Sequence, residues 1–451
     1  MKRHSRHSCA LPALHAVNEY ASWEVPPRTT YPMPAVPRPE PPPSSILPLL
    51  GWFTGALFFG YAWVLRVAPS VMVDELMAEF AVGGAVVGHL SAAYYYGYAG
   101  MQIPVGVLLD RFGPRRLMTV AALVCAAGSV LFATGSSLTA VSLGRFLIGA
   151  SAAFSFVGSL AVASRWFPPD RFAILSGLAM AMGMVGGVFG QAPLRLAVEA
   201  SNWRTASLYL ALGGVLLALA AFVTVRDKWR GKGGVGAVAS GLARVARDPQ
   251  TWLISLAGLG TSAPLLGFAG LWGVPFLETS YGLSRTAAAS LTSTIFVGWA
   301  VGAPLFGSLS DRIGRRRAPL LVGLSLETAA LAALVAVPGW SVSAMTALCF
   351  CIGFFGASQV ICYALIKETH QAQLSGTGIG FVNGMVTGAG ALLQPLCGWL
   401  LDLVWTGKSL AGVRIYEPDQ YRLALSALIA CGVLGLLCLF AVKETWCRQQ
   451  A

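Results

Sequence analysis

An all-α polytopic membrane protein, with 12 transmembrane helices in two pseudo-symmetric six-helix bundles, is what this sequence predicts, on three observations. The first is composition. Of 451 residues, 56% are hydrophobic and 11% charged, where a soluble chain carries roughly 25% charged residues, and the mean hydropathy is +0.67. Too little polar surface remains to coat a water-soluble body of this size, which excludes an ordinary cytosolic enzyme. The second is a run of about twelve apolar windows, each long enough to cross roughly 30 Å of hydrocarbon at about 1.5 Å per residue. The third is an internal repeat.

Taken in order, residues 1–48 are polar and proline-rich, and the run Pro32 to Pro43 can neither build a helical hydrogen-bond ladder nor supply a core. This tail is expected to be disordered, either dispensable or the product of an upstream misassigned start codon. A cleaved secretory signal is not expected, because the first apolar stretch begins only near Leu47. The windows then lie near 49–71, 85–108, 115–134, 138–162, 173–197, 205–226, 251–278, 286–309, 318–338, 341–366, 375–402 and 420–442. Each must be helical: hydrocarbon offers unpaired backbone groups no partner, and the alternating strands of a barrel are absent. The implied organisation is a first bundle over 49–226, a basic, glycine-containing loop over 227–250, a second bundle over 251–442 and a tail over 443–451.

Adding 201 to a residue number maps Leu90-Ser91 onto Leu291-Thr292, Gly97 onto Gly298, Gly106 onto Gly307, Asp110-Arg111 onto Asp311-Arg312, Gly113 onto Gly314 and Arg115-Arg116 onto Arg316-Arg317. Much later the same offset carries Gly183-Met184-Val185 onto Gly384-Met385-Val386. An offset that holds about six spans, an even number, makes the halves parallel repeats about an axis along the membrane normal, with a site expected between them. Alternate loops and the C-terminal tail hold 18 Lys and Arg. The opposite loops hold few, chiefly Arg204, Arg285, Lys408 and Arg414, and the turn from Met72 to Ala85 has Asp74, Glu75 and Glu79 and no base. This bias places both termini and the central loop in the cytoplasm and accounts for the formal charge of +12 without a nucleic-acid partner.

The stretches Gly106 to Arg116 and Gly307 to Arg317 resemble the signature loop of the major facilitator superfamily, and Gly144 to Gly149 resembles a second family motif. The resemblance covers about Leu49 to Thr445. It implies a secondary transporter whose gating residues are Gly106, Asp110, Arg111, Gly113, Arg115, Arg116, Arg145, Gly307, Asp311, Arg312, Gly314 and Arg316. By the same similarity Asp110 would face Ser375 and Gly376, and Asp311 would face Arg171 and Phe172, when the cytoplasmic side is shut. Physically, Gly113 and Gly314 permit a sharp reversal, the arginines keep their heads in the interface, and each aspartate sits unfavourably at its own helix's negative end and seeks a partner elsewhere. The drug and proton antiporter branch typically carries Gly-Pro-x-x-Gly-Gly in its fifth span. Met184 to Gly187 lacks that proline, which weakens an efflux reading.

Polar groups deep in apolar spans are functional candidates by default. Arg66, alone among charges inside the first span, shares a face with Trp63, Phe59 and Ser70. Either it lines the cavity as a bidentate receptor for a carboxylate or phosphate, or it snorkels to the outer surface and pairs with Asp74 or Glu75. Tyr94, Tyr98 and Gln102 on the second span, and Gln359 and Tyr363 on the tenth, recur every four residues as hydroxyl- and amide-bearing walls. With Trp63 and Arg66 they make the candidate substrate site. Gln191, Asn383 and Gln394 read more readily as interhelical ties. Glu327 in the ninth span is an available proton carrier, although the resemblance implies that this helix belongs to the scaffold. The glycines of the fifth span (Gly183, Gly186, Gly187, Gly190) and of the eleventh (Gly380, Gly384, Gly388) are expected to let helices approach and slide.

No Walker loop, zinc-binding His-Glu-x-x-His or nucleophile elbow occurs, so neither ATP-driven transport nor catalysis is expected. Nine cysteines without a CxxC pair, and five histidines of which only His89 lies in a span, give no metal or cofactor site; His89 reads as a satisfied core residue. The expected function is uptake of a small organic anion or zwitterion by alternating access, with proton symport open, by a monomer in a bacterial inner membrane. An efflux pump for hydrophobic compounds and a non-transporting sensor with the same fold are the rivals.

Overall fold

With no water in the hydrocarbon, each apolar window closes its backbone hydrogen bonds within itself, and a helix results at every one of them. The structure, a computed structural model, describes residues 46–227, 235–371, 374–410 and 413–449; for Ile103, Asp110, Pro169, Asp170, Ala173 and 235–240 it describes the backbone alone. Residues 1–45 of the expected disordered tail lie outside the described ones.

The first half runs α1 (Leu47–Val67), a 3-10 turn (Ala68–Val71), a short α2 (Val73–Phe80), α3 (Gly84–Phe112), α4 (Pro114–Thr134), α5 (Leu138–Trp166), α6 (Pro169–Phe189), a short α7 (Ala192–Ala200) and α8 (Trp203–Thr224). After α9 (Val235–Arg247), the second half runs α10 (Pro249–Ala263), a π-helical stretch (Pro264–Trp272), α11 (Gly273–Tyr281), α12 (Arg285–Ile313), α13 (Arg317–Ala336), α14 (Val342–Gly356), a 3-10 turn (Ala357–Gln359), α15 (Val360–Thr369), α16 (Ser375–Leu403), a two-residue hairpin (Ser409–Leu410 with Val413–Arg414) and α17 (Pro418–Ala441). Among the described residues eleven helices are long and apolar enough to cross a bilayer, and a twelfth, α3, qualifies together with α2, from which it is bent by 115°. The tyrosines and glutamine in the middle of α3 dilute its apolar character.

Four windows and one loop differ in detail from expectation: the first window ends in the 3-10 turn Ala68–Val71, and the fifth is interrupted between Phe189 and Ala192. The loop 227–250 contains α9, the seventh span passes through the π-helical stretch, and the tenth is broken at Ala357–Gln359. Non-α segments inside spans often mark functional hinges.

The duplication is visible as repeated packing. A Cβ at Gly97 would lie 2.3 Å from the Phe146 carbonyl oxygen, and one at Gly149 would lie 1.8 Å from that of Tyr94, so α3 and α5 touch backbone to backbone. Gly298 against Phe350 (2.2 Å) and Gly353 against Ile295 (1.8 Å) repeat this between α12 and α14. The offset is still 201 on α3 and α12 but has grown to 204 by α5 and α14, whose caps Ser137 and Ser341 also correspond. The signature loops repeat as well. Gly113 (φ 81°) and Gly314 (φ 63°) make the left-handed turns. Asp227 accepts from the Arg115 amide and Glu444 from the Arg316 and Arg317 amides, while Arg115 and Arg317 donate to the Phe222 and Phe440 carbonyls. Each half thus closes its last span onto its third with an acid.

The halves meet along α3 against α16 and α6 against α12. Small residues allow this at Gly187, where a Cβ would lie 2.4 Å from the Phe296 ring; Gly186 does the same within the first half against Gly60. The eleventh-span glycines do not serve close approach as expected: a Cβ added at Gly380, Gly384 or Gly388 would meet nothing within 4 Å among the described residues. His89 is exposed on the outer face of α3 beside the Tyr96 hydroxyl, 3.3 Å away, instead of lying in the core.

Gly353→Val is expected to cost more than about 3 kcal/mol, beyond ordinary overpacking, because the clash is with backbone. Gly384→Ala should stay within about 0.5 kcal/mol. Thermal melts and size-exclusion profiles of the two variants in detergent check the contrast.

Candidate functional site

A cavity of about 770 Å³ lies between the halves. From the first half it takes Phe59, Trp63 and Arg66 of α1, Tyr98, Gln102 and Gly106 of α3, and Phe156 of α5; from the second, Trp299 of α12, Gln359, Tyr363 of α15 and Asn383 of α16. It reaches the end of the molecule that carries the basic loops, where Val107, Leu242, Gly376 and Thr377 line it. No acid and no histidine is among its described lining residues.

Arg66 is 5% exposed. Its guanidinium carbon lies 4.2 Å from the Trp63 ring centre, 4.7 Å from Tyr98 and 5.2 Å from Tyr94, and its Nε donates to the Tyr94 hydroxyl at 3.3 Å. The aromatic quadrupoles supply part of the counter-field that a buried cation needs. Among the described residues Arg66 has no carboxylate partner. The acids that the snorkelling alternative offers it are engaged elsewhere: Asp74 with Arg285 at 2.6 Å, and Glu75 with Arg195 at 2.6 Å and Arg285 at 3.1 Å. Of the seven residues read from the sequence as a substrate site, Trp63, Arg66, Tyr98, Gln102, Gln359 and Tyr363 line the cavity. Tyr94 does not. It is fully buried behind Arg66, stacked on Tyr98 with centres 6.0 Å apart, and acts as the floor of the arginine's cage.

Arg145 backs the same place. Fully buried, it donates to the Leu65 carbonyl at 2.5 Å and, more loosely, to those of Arg66 (3.3 Å) and Ser91 (3.4 Å), and its guanidinium carbon is 5.2 Å from the Tyr94 ring centre. It therefore ties the backbone that carries Arg66 to the second span. The opposite wall is a relay: Gln359 Nε2 donates to the Tyr363 hydroxyl (3.1 Å), which donates to Asn383 Oδ1 (3.0 Å). Asn383, read from the sequence as a helix tie, faces the cavity; its one-dimensional signal is the same as that of Gln191 and Gln394, which are ties. Gln191 accepts from Ser70 and Thr292 and donates to the Ala269 carbonyl, and Gln394 donates to that of Leu266.

A family model for the Major Facilitator Superfamily matches residues 52–274 and 266–446. The chain belongs to this superfamily. It is an integral multi-pass membrane transport protein with a small-molecule substrate and is not an enzyme. Similar proteins include a probable sulfoacetate transporter, SauU, of Cupriavidus necator (24% identity, covering 77% of this chain and 85% of the relative), a probable galactarate/D-glucarate transporter, GudP, of Bacillus subtilis (21%, 81% and 88%) and a probable nitrate/nitrite transporter, NarK2, of Mycobacterium tuberculosis (28%, 74% and 82%). The fold matches a bacterial homolog of the human lysosomal transporter Spinster in an inward-facing, occupied conformation (TM-score 0.73, 17% identity, 88% of this chain and 97% of that one) and a D-xylose-proton symporter (0.69, 14%, 89% and 99%).

The superfamily's signature residues occupy the open end. Gly106 lines the cavity mouth, and Gly307 faces open space. Arg111, Arg116 and Arg312 are exposed. Asp311 is not against Arg171 and Phe172; it pairs with Arg316 of its own loop at 2.6 Å, and Arg316 reaches on to Glu368 at 2.7 Å. Among the described residues the contact expected for the shut state is unmade. The expected contact of the Asp110 side chain lies outside the described residues.

The far end is closed by groups that the linear pattern did not single out as a seal. Arg285 of the second half forks across Asp74 and Glu75 of the first and also binds Glu278 (3.1 Å), while Thr286 donates to Glu199 at 3.0 Å. Nearby, Asp402 accepts from the Gly84 and Ala85 amides at 3.0 and 2.9 Å, capping the α3 N-terminus from across the seam. Arg414 (2.9 Å) and the Tyr416 hydroxyl also donate to Asp402, and burial together with the neighbouring carboxylate pushes the Tyr416 phenol up, which keeps it a donor. A capping carboxylate is stabilised by the helix N-terminus it faces.

In a Ser70→Cys background, where the new thiol sits under this seal, the double variant Arg285→Gln, Asp402→Asn is expected to react at least about fivefold faster with a bulky water-soluble maleimide, the factor carried by about 1 kcal/mol. Labelling rates in detergent, with an unchanged melt as the folding control, measure it.

Proposed function

We propose that this transporter takes up a small organic anion, bound at Arg66, by alternating access. The observation that carries the reading is a guanidinium on the wall of a cavity with no acid among its described lining residues, caged by aromatics and, among the described residues, without a carboxylate of its own. A buried charge in that position is incomplete until an anion fills the fork. The opposite wall, Gln359, Tyr363 and Asn383, offers neutral donors and acceptors to a second polar end of the cargo. A zwitterion's ammonium would find no acid there, so within the expected class the anion is favoured. The substrates named for the relatives above, sulfoacetate, galactarate and D-glucarate, nitrate and nitrite, are anions, which supports the same reading. In this proposal residues 49–226 and 251–442 rock as two bodies of a monomer in a bacterial inner membrane, with both termini and the open cavity mouth on the cytoplasmic side. Asp110 and Asp311 engage when that mouth shuts.

The test is a thermal-shift screen of the purified chain with sulfoacetate, D-glucarate and nitrate, repeated on Arg66→Gln and Arg66→Lys. At least one anion should raise the melting temperature of the parent. Arg66→Gln should weaken its apparent affinity by about thirtyfold or more, as truncating one partner of a buried charged pair costs at least about 2 kcal/mol. Arg66→Lys should recover only part, since it keeps the charge and loses the fork. Stabilisation that survives Arg66→Gln unchanged would remove Arg66 from the site. Raised tolerance to hydrophobic drugs on expression would favour the efflux reading, and absence of flux for every solute the sensor reading.

A further inference from the structure

No acid is among the described lining residues of the cavity, yet one carboxyl lies deep inside the membrane-spanning part of the second half. Glu327 is 1% exposed at the eleventh of the 20 residues of α13, close to mid-bilayer. Among the described residues it forms no ion pair, and its buried Oε2 has no hydrogen-bond partner. The other carboxylate oxygen is packed on Gly356, the last residue of α14: a Cβ there would fall 2.4 Å from Oε1. One turn away Ser358, whose buried hydroxyl is also unpartnered, is packed on Gly323 of α13. On the α17 side the titratable neighbour is the Cys431 thiol, a neutral group, and Thr328 sits against Gly432. No Lys, Arg or His among the described residues faces the carboxyl from α14, the 3-10 turn or α17.

Gly356 opens the break in the tenth span, and the third residue beyond it is Gln359, a lining residue of the cavity. We propose that Glu327 binds and releases a coupling proton, and that the break at Gly356–Gln359 transmits its ionisation to the cavity. An ionised carboxylate enclosed in hydrocarbon costs several kcal/mol unless paired or hydrated, so an enclosed Glu327 holds a proton, and giving it up requires water to reach Oε2. In the proposed step water gains that access where α13 and α14 part at Gly356, and the parting shifts Gln359. Release is thereby tied to a change in the substrate wall.

The charges also balance. This step rests on the anion reading above: Arg66 with a bound monoanion and protonated Glu327 carries the same net charge as empty Arg66 with ionised Glu327, so neither form moves an uncompensated charge through the bilayer. A dianion such as sulfoacetate leaves one negative charge uncompensated in the loaded form, and clamping the membrane potential at zero removes that charge from the driving force.

The experiment has two arms, both on the full chain. In proteoliposomes with the membrane potential clamped at zero, one proton per cargo supports about tenfold accumulation of radiolabelled sulfoacetate for each pH unit imposed. Glu327→Gln, a neutral mimic of the acid, should reduce this to no accumulation while sulfoacetate counterflow continues, and Glu327→Asp should retain a response to the gradient. Accumulation by Glu327→Gln equal to that of the parent, or a parent indifferent to the pH gradient, overturns the proposal. The second arm needs no cargo. Infrared difference spectra between mildly acidic and mildly alkaline buffer should show a protonated-carboxyl C=O band that disappears on alkalinisation in the parent and is missing from Glu327→Gln; its persistence in the variant, or absence from the parent, overturns the proposal. Failure of the parent to move any anion while the infrared band behaves as expected would count against the anion reading alone.

Discussion

A charge inside hydrocarbon has to be paired, solvated or neutralised, and the position of each deep ionisable group in this protein follows from that constraint. Arg145 meets it with three backbone carbonyls and the Tyr94 ring. Arg195, near the sealed end, is paired with Glu75 and Glu199. Arg66 meets it only in part, with aromatic faces and one phenol, and that incompleteness is what the proposed anion reading rests on. Glu327, with no described cation opposite it, is left with a proton as its means of neutralisation.

The same constraint shapes the two ends of the cavity. At the sealed end the ties across the seam are ionic and lie near water: Arg285 to Asp74 and Glu75, and Asp402 to the amides that open α3. Ion pairs near water are each worth little net stability, so in the proposed alternating access they can exchange with solvent when this end opens. At the open end the corresponding groups turn inward within each half. Asp227 and Glu444 close the signature loops, and Arg316 is satisfied by Asp311 and Glu368. Halves held internally by glycine-mediated backbone contact and tied to each other at the sealed rim by polar contacts suit the proposed rocking of two stiff bodies.

Inside each half the stiffness has an identifiable source. Gly97 and Gly149 bring α3 onto α5, and Gly298 and Gly353 bring α12 onto α14, at distances that no side chain could fill. Close approach of this kind gives dispersion contact where the hydrophobic effect between helices is weak. By contrast, Gly376 and Gly380 of α16 line the cavity, where missing side chains leave room instead of contact.

The number of spans, their helical nature, the duplication and the signature loops were legible in the residues alone, because span length, backbone satisfaction and repeat offset are properties of one dimension. Six of the seven residues chosen for the cavity wall were legible for a related reason: a polar side chain at helical spacing inside an apolar window has few places to go. What one dimension did not carry was which amide faces cargo, since Asn383 looks like Gln191 until the helices are assembled, and which face Tyr94 takes, since it shares its spacing with Tyr98. The seal through Asp402 and Arg285 was hidden for the same reason, its partners lying more than 200 or 300 residues apart. Patterning along the chain settles what each helix is. Only the packing of one helix on another decides whether a buried charge finds a partner in the protein or waits for one from outside, because that depends on which side chains the other half brings within a few ångströms.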